Sequence, residues 1–188
     1  MSKVGRVFGS IMAVAVLLPA VALAGDSEAG GKIHDAESAF ELFTRLEGTW
    51  EGEALVVPVG QAKEEGVTSR TTVTYKVIAN ASTVMATYRV DTPMEMVSMY
   101  HLDGPEEFIH THYCAVGNQP SMRFEKSSEK GLIRFNFSHG SNMDVEKDGH
   151  VHNTRIRLID EDTLESESDL WREGKLSSVR YARLTRVK

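Results

Sequence analysis

From Gly48 onward the chain alternates apolar and polar residues with a period of two, and the pattern holds to the C-terminus. Period two marks a strand with one buried face, because successive side chains on a strand point to opposite sides. Strand-like runs occupy residues 50–57, 67–78, 82–91, 94–103, 107–116, 120–127, 131–139, 150–159, 163–172 and 175–186. Turn-forming residues punctuate them, among them Asp103-Gly104-Pro105, Gly117-Asn118-Gln119-Pro120, Asp148-Gly149 and Glu173-Gly174. No helical stretch is interleaved, so the runs form an antiparallel meander rather than a parallel sheet. A flat meander of this length leaves one apolar face and two edges bare, and closing it on itself removes all three. The expected fold is all-β: a single antiparallel up-and-down β-barrel of eight to ten strands.

One short N-terminal helix precedes the barrel. Ala36, Phe40, Phe43 and Leu46 recur at spacings of three and four, with Asp35 placed to cap the start and Gly48 to stop the run. Residues 35–188 read as the barrel domain, residues 25–34 as a flexible, polar, Gly-rich lead-in, and residues 1–24 as a signal peptide. Lys3 and Arg6 supply a positive start, residues 7–21 are small and apolar, and Ala22-Leu23-Ala24 precedes Gly25 as a cleavage pattern. The apolar run falls short of the ~20 residues a membrane anchor needs. The expectation is an exported protein, periplasmic or secreted, with no membrane anchor after cleavage. Cleavage removes Lys3 and Arg6 and no acid, so the net charge of −6 becomes −8. That acidic balance argues against nucleic acid or an anionic lipid surface as partner.

Histidine placement points to a site. Four of the seven fall in two alternating clusters, His110-Thr111-His112-Tyr113-Cys114 and His150-Val151-His152, with His101 just upstream of the first. On a strand, His110, His112 and Cys114 share a face, as do His150 and His152. Arg155 and Arg157 mark the solvent side of 150–158, which turns His150 and His152 inward. A four-residue turn at 104–107 would set His101 opposite His110 and Met99 opposite His112. The other face of those two strands, with Tyr100, Ile109, Thr111 and Tyr113, is also apolar enough to be a core. A one-residue change of register exchanges the two.

Leu46-Glu47-Gly48-Thr49-Trp50-Glu51-Gly52 lies where the helix gives way to the first strand. A Gly-x-Trp at that point resembles the calycin superfamily of lipocalins, fatty-acid-binding proteins and nitrobindins, and Gly-Thr-Trp-x-Gly with about ten strands is most similar to the nitrobindin-like, fatty-acid-binding-protein-like type. The resemblance implies that Trp50 plugs one end of the barrel and stacks with an arginine of the last strand, Arg183 or Arg180. It departs from the nitrobindin pattern at Ala54, where that pattern has glycine, and haem is implied by barrel type alone. The stretches 96–104, 111–114, 117–120 and Gly149-His150-Val151-His152 also resemble exported bacterial proteins of unknown function.

These observations point to a small-molecule ligand held in a His-lined lumen, either hydrophobic or amphipathic, with haem as one candidate. Phe135, Phe137, Ile156 and Leu158 would supply apolar contact, and His101, His110, His112, His150 and His152, with Cys114 and Tyr100 or Tyr113, would orient the ligand. The alternative is a metal-binding protein or metal-dependent enzyme. Imidazoles about 6.6 Å apart on one strand face can converge on an ion, so His112, Cys114, His150 and His152 could hold zinc or copper. No phosphate loop, Ser-His-Asp arrangement or zinc-protease motif is present, which favours a binder over an enzyme.

Overall fold

In the computed structural model, residues 35–126, 129 and 131–188 are described. The expected signal peptide and lead-in lie outside them. A helix, α1 (Ala36–Thr44), is followed by ten strands: β1 (Gly48–Pro58), β2 (Val67–Ile78), β3 (Thr83–Tyr88), β4 (Met96–Leu102), β5 (Phe108–Tyr113), β6 (Gln119–Glu125), β7 (Leu132–Ser141), β8 (His150–Asp160), β9 (Thr163–Arg172) and β10 (Lys175–Arg186). A single 3-10 turn (Lys63–Glu65) lies between β1 and β2. Each strand pairs antiparallel with its sequence neighbour, and β10 pairs with β1, so the sheet closes completely. Closure leaves no strand edge bare.

Helix α1 closes one end. Asp35 caps it through a reciprocal pair of bonds, Ser38 N–H to Asp35 Oδ1 at 2.9 Å and Asp35 N–H to Ser38 Oγ at 3.2 Å. Its apolar face drops Phe43 onto Tyr100, Phe108 and Phe135, with ring centres 4.5–5.8 Å apart. Leu46 follows, and Trp50 beneath it is fully buried, its indole N–H donating to Leu46 O at 2.7 Å. The arginine stacked on Trp50 is Arg186, its guanidinium carbon 4.2 Å from the ring centre. Neither Arg183 nor Arg180 takes that place, and the register explains why. Arg186 is the direct partner of Trp50, whereas Arg183 pairs with Glu53 on the outer face and binds Glu165 there. Arg180 lies further along the inner face, opposite Val56. Arg186 also donates to the carbonyls of Arg45 (2.9 Å) and Glu161 (3.1 Å), tying the helix end to the barrel.

Two glycines in this corner meet a geometric demand. Gly48 has φ +123°, a conformation costly for any other residue. A Cβ on Gly52 would fall 2.1 Å from Arg183 O, so β1 can approach β10 this closely only without a side chain.

The inner face of the sheet is apolar at the closed end and mixed toward the open one. Val84, Phe108, Ile133, Phe135, Leu158 and Leu164 fill the closed half. The outer face of β8 and β9 carries charges in register: Arg155 bonds Glu167 at 2.7 Å and Asp169 at 3.1 Å. Arg155 and Arg157 thus stand on the outside, as the alternation required.

Candidate functional site

The open half of the barrel encloses a cavity of about 460 Å³, walled by all strands from β1 to β5 and from β8 to β10. Its apolar wall includes Val73, Ile156, Leu170 and Leu184, and Met94 and Val116 lie at the mouth. Its polar lining includes Ser98, His110 and His112 from β4 and β5, and Arg180 from β10.

β4 and β5 build the most ordered part. Tyr100 pairs with His110 and Ser98 with His112, so Ser98, Tyr100, His110 and His112 all point inward. The loop between the strands is one residue longer than the expected turn: Leu102, not Asp103, pairs with Phe108, and Asp103 N–H reaches Glu107 O at 2.8 Å. That extra residue moves His101 to the opposite face, beside Ile109 and Thr83. His101 therefore leaves the predicted site, and Tyr100 takes the inward place.

Ser98 is fully buried, and its hydroxyl joins the two rings: His110 Nε2 at 2.9 Å and His112 Nδ1 at 3.0 Å. His110 is stacked on Tyr100 with centres 4.3 Å apart and meets Phe135 edge-on at 5.3 Å. Its Nδ1 is buried without a hydrogen-bond partner. Burial holds His110 well below the ordinary imidazole range, with the His112 charge adding in the same direction, and burial lowers His112 to about 4. Both rings are neutral at pH 7. Tyr88 on β3 stands edge-on to His112 at 6.0 Å, and its hydroxyl lies 3.3 Å from that of Tyr100. Burial raises the Tyr100 and Tyr75 phenols far above their usual range, so both stay protonated. Cys114 lies on the same wall, half-buried, with Sγ 3.9 Å from Met96 Sδ.

The second histidine cluster behaves differently. The β8–β9 ladder runs Val151 to Leu170 and then Asn153 to Asp169, which makes His152 the extra residue of a bulge. His152 is set between Phe137 and Trp171, with ring centres 4.6 and 3.8 Å away and nearly parallel planes. His150 borders the cavity near its mouth, its Nδ1 2.9 Å from Asp148 O and its Nε2 3.1 Å from His152 Nδ1. The two clusters do not converge. Among the described residues no three His, Cys, Asp or Glu side chains form a group able to hold an ion. The expected set of His112, Cys114, His150 and His152 is thus divided: the bulge diverts His152 into the aromatic stack. Phe135 and Leu158 lie in the packed core, Phe137 flanks His152, and Ile156 reaches the cavity.

Reading the sequence missed Ser98, Tyr88 and the inward role of Arg180. Arg180 shares a face with Ala182 and Leu184, both buried, and an arginine in phase with a strand's apolar residues was a visible signal.

No protein-family model and no curated protein matches the chain. Solved structures do resemble it in fold. One is a protein of unknown function from the DUF3598 family of Nostoc punctiforme PCC 73102, with TM-score 0.52 and 13% identity over 77% of this chain. The chain spans about half of that protein, 49% of its length. Another is Rv2717c from M. tuberculosis, with TM-score 0.57 and 13% identity, covering 80% of this chain and 98% of that one. At such identity the likeness is one of fold alone.

Proposed function

We propose that this is an exported binding protein that holds a small amphipathic ligand in the open half of its barrel. The carrying observation is the cavity itself, about 460 Å³ and closed below by α1 and Trp50, lined by apolar and hydrogen-bonding side chains together. That size and mixture are typical of small-molecule sites, in which apolar contact supplies affinity and a few polar groups fix orientation. The neutral, buried histidines suit a binding wall more than acid–base work at neutral pH, because their protons exchange far below it.

A haem is the second reading, favoured by one feature. His112 Nδ1 is engaged by Ser98 while its Nε2 has no hydrogen-bond partner among the described residues, so His112 would be the residue to hold the iron. Arg180 and Arg89, which also line the cavity, would suit the carboxylates of that group.

Native mass spectrometry and a visible spectrum of protein recovered from its own source test both. A bound organic mass without visible absorption is expected. A stoichiometric Soret band would replace the first reading with the second. Protein that arrives empty and leaves the fluorescence of an added hydrophobic dye unchanged would overturn both.

A further inference from the structure

The cavity reverses the charge of the protein around it. The whole chain carries −6, yet among the described residues the wall has three arginines, Arg89, Arg172 and Arg180, and no aspartate or glutamate. Arg180 is the deepest placed by register, two residues from buried Ala182. Its guanidinium donates to Thr71 Oγ1 at 3.2 Å, and no carboxylate of the described residues pairs with it. Desolvation pulls its pKa down and nearby Arg89 adds to the effect, but a guanidinium keeps its proton. A half-buried cation with no counter-charge carries a desolvation cost, and an incoming anion would relieve it.

The Ser98 relay adds a direction. A hydroxyl has one proton and two lone pairs. The buried O–H of Ser98 needs an acceptor, and among the described residues the two rings are its hydrogen-bond partners, so it donates to one ring and accepts from the other. Were His112 Nδ1–H the first donor, Ser98 would donate to His110 Nε2, and the proton of His110 would sit on Nδ1. That nitrogen is sealed in the core without a partner, and an orphaned N–H is the rarer and costlier defect. The opposite direction leaves only a lone pair there. His110 Nε2–H then donates to Ser98 Oγ, and Ser98 O–H donates to His112 Nδ1. The proton of His112 must accordingly be on Nε2, the nitrogen without a hydrogen-bond partner among the described residues. Arg180 reaches Thr71 on β2, and Tyr88 on the neighbouring β3 is close enough to Arg180 to interact electrostatically and stands edge-on to His112.

We infer that the polar groups reaching into the lumen are a donor array, Arg180 from β10 with His112 Nε2–H from β5 and the Tyr88 hydroxyl from β3, built for the carboxylate of an amphipathic anion whose apolar part lies along Val73, Ile156 and Leu184. This rests on the lumenal-binder reading and names its ligand class. The orphaned nitrogen of His110, one hydrogen-bonded step behind the wall, is what fixes His112 as a donor. In that tautomer His112 has no lone pair to give a metal, so the inference also opposes the haem reading.

Calorimetric titration of the purified protein with three probes of equal chain length, decanoate, decanol and decylamine, tests the charge class. Decanoate is expected to bind at least about tenfold tighter than the other two, the scale of one charge-assisted hydrogen bond. Arg180→Met should bring decanoate to the affinity of decanol. Equal binding of all three, or preference for the amine, overturns the anion assignment while leaving the lumen reading intact. No binding of any probe overturns both. Nitrogen-15 spectra of the unliganded protein test the relay without any substitution: His110 and His112 should both be Nε2–H tautomers. A proton on His112 Nδ1 would overturn the relay.

Discussion

The same three-residue pattern, His-x-His on a strand, has two outcomes in this barrel. On β5 the ladder to β4 is regular, and His110 and His112 both face inward and share one serine. On β8 a bulge at His152 breaks the ladder, so His150 borders the cavity while His152 enters a stack with Phe137 and Trp171. Alternation assigns faces only while the ladder stays in step, because one inserted residue reverses every residue beyond it. The β5 pair is a buried polar network in a packed wall. The β8 pair is an aromatic contact near the rim.

Single-residue deletions separate the two most sharply. Deleting His152 should convert the bulge into a regular ladder, joining Val151–Leu170 directly to Asn153–Asp169. Thr154, Ile156 and Leu158 would keep their inward places. Deleting Thr111 from β5 leaves no such repair, since it turns either Phe108 and His110 or His112 and Cys114 to the wrong face. The expected loss for the Thr111 deletion exceeds about 4 kcal/mol, beyond most single changes. The His152 deletion should cost about 1–2 kcal/mol, near the value of its stacking contacts. Urea unfolding of both variants is the measurement, and equal losses would remove the bulge from the account.

Acid should expose the β5 pair next. A group lowered from 6.5 to about 4 on folding lets the unfolded chain take up protons that the folded barrel refuses. Stability from His112 is therefore fully present above pH 6.5 and is lost as the pH falls through the window down to about 4. The shift corresponds to about 3 kcal/mol, and His110 moves in the same direction. The groups facing His112 are Ser98, Tyr88 and His110, with no carboxylate among those contacts. His152 is also lowered, by burial first and by His150 second, while Asp169 opposes the change. Urea midpoints measured between pH 7.5 and 4.5 should fall steeply for the parent and more gently for His112→Phe. An unchanged slope in that variant would assign the pH dependence elsewhere.

Much of this was readable in the sequence, and the exceptions have physical causes. Ten strand runs, the Asp35 cap and the buried Trp50 follow from periodicity, turn residues and one aromatic at a helix–strand junction. Alternation alone could not identify the arginine over Trp50: Arg180 and Arg186 share the inner face of β10, Arg183 does not, and only the register to β1 chooses Arg186. His101 was misplaced because a loop one residue longer than a tight turn leaves no compositional mark in Asp103-Gly104-Pro105-Glu106-Glu107. The bulge at His152 was equally silent, since Val151 and His152 each suit either face of a strand near its end. Ser98 escaped notice for another reason. A serine is an ordinary strand residue, and only cross-strand register shows that two imidazoles depend on it.

Ser98→Ala is therefore the smaller but more specific test of the β5 network. It removes a fully buried hydroxyl and leaves both His110 Nε2 and His112 Nδ1 without their shared partner. Leaving a buried polar group unsatisfied costs about 1–3 kcal/mol. The neutral expectation is therefore about 2 kcal/mol, with partial relief if His112 turns toward the cavity. His152→Ala, its counterpart on β8, should cost about 1 kcal/mol, because His150 Nε2 can find water near the rim and the lost contact is chiefly ring against ring. The two substitutions lie on strands that do not pair, so their effects should add within about 0.5 kcal/mol in the double variant. A coupling larger than that would mean the two clusters communicate across the lumen, and the distinction between a sealed network and a rim contact would have to be given up.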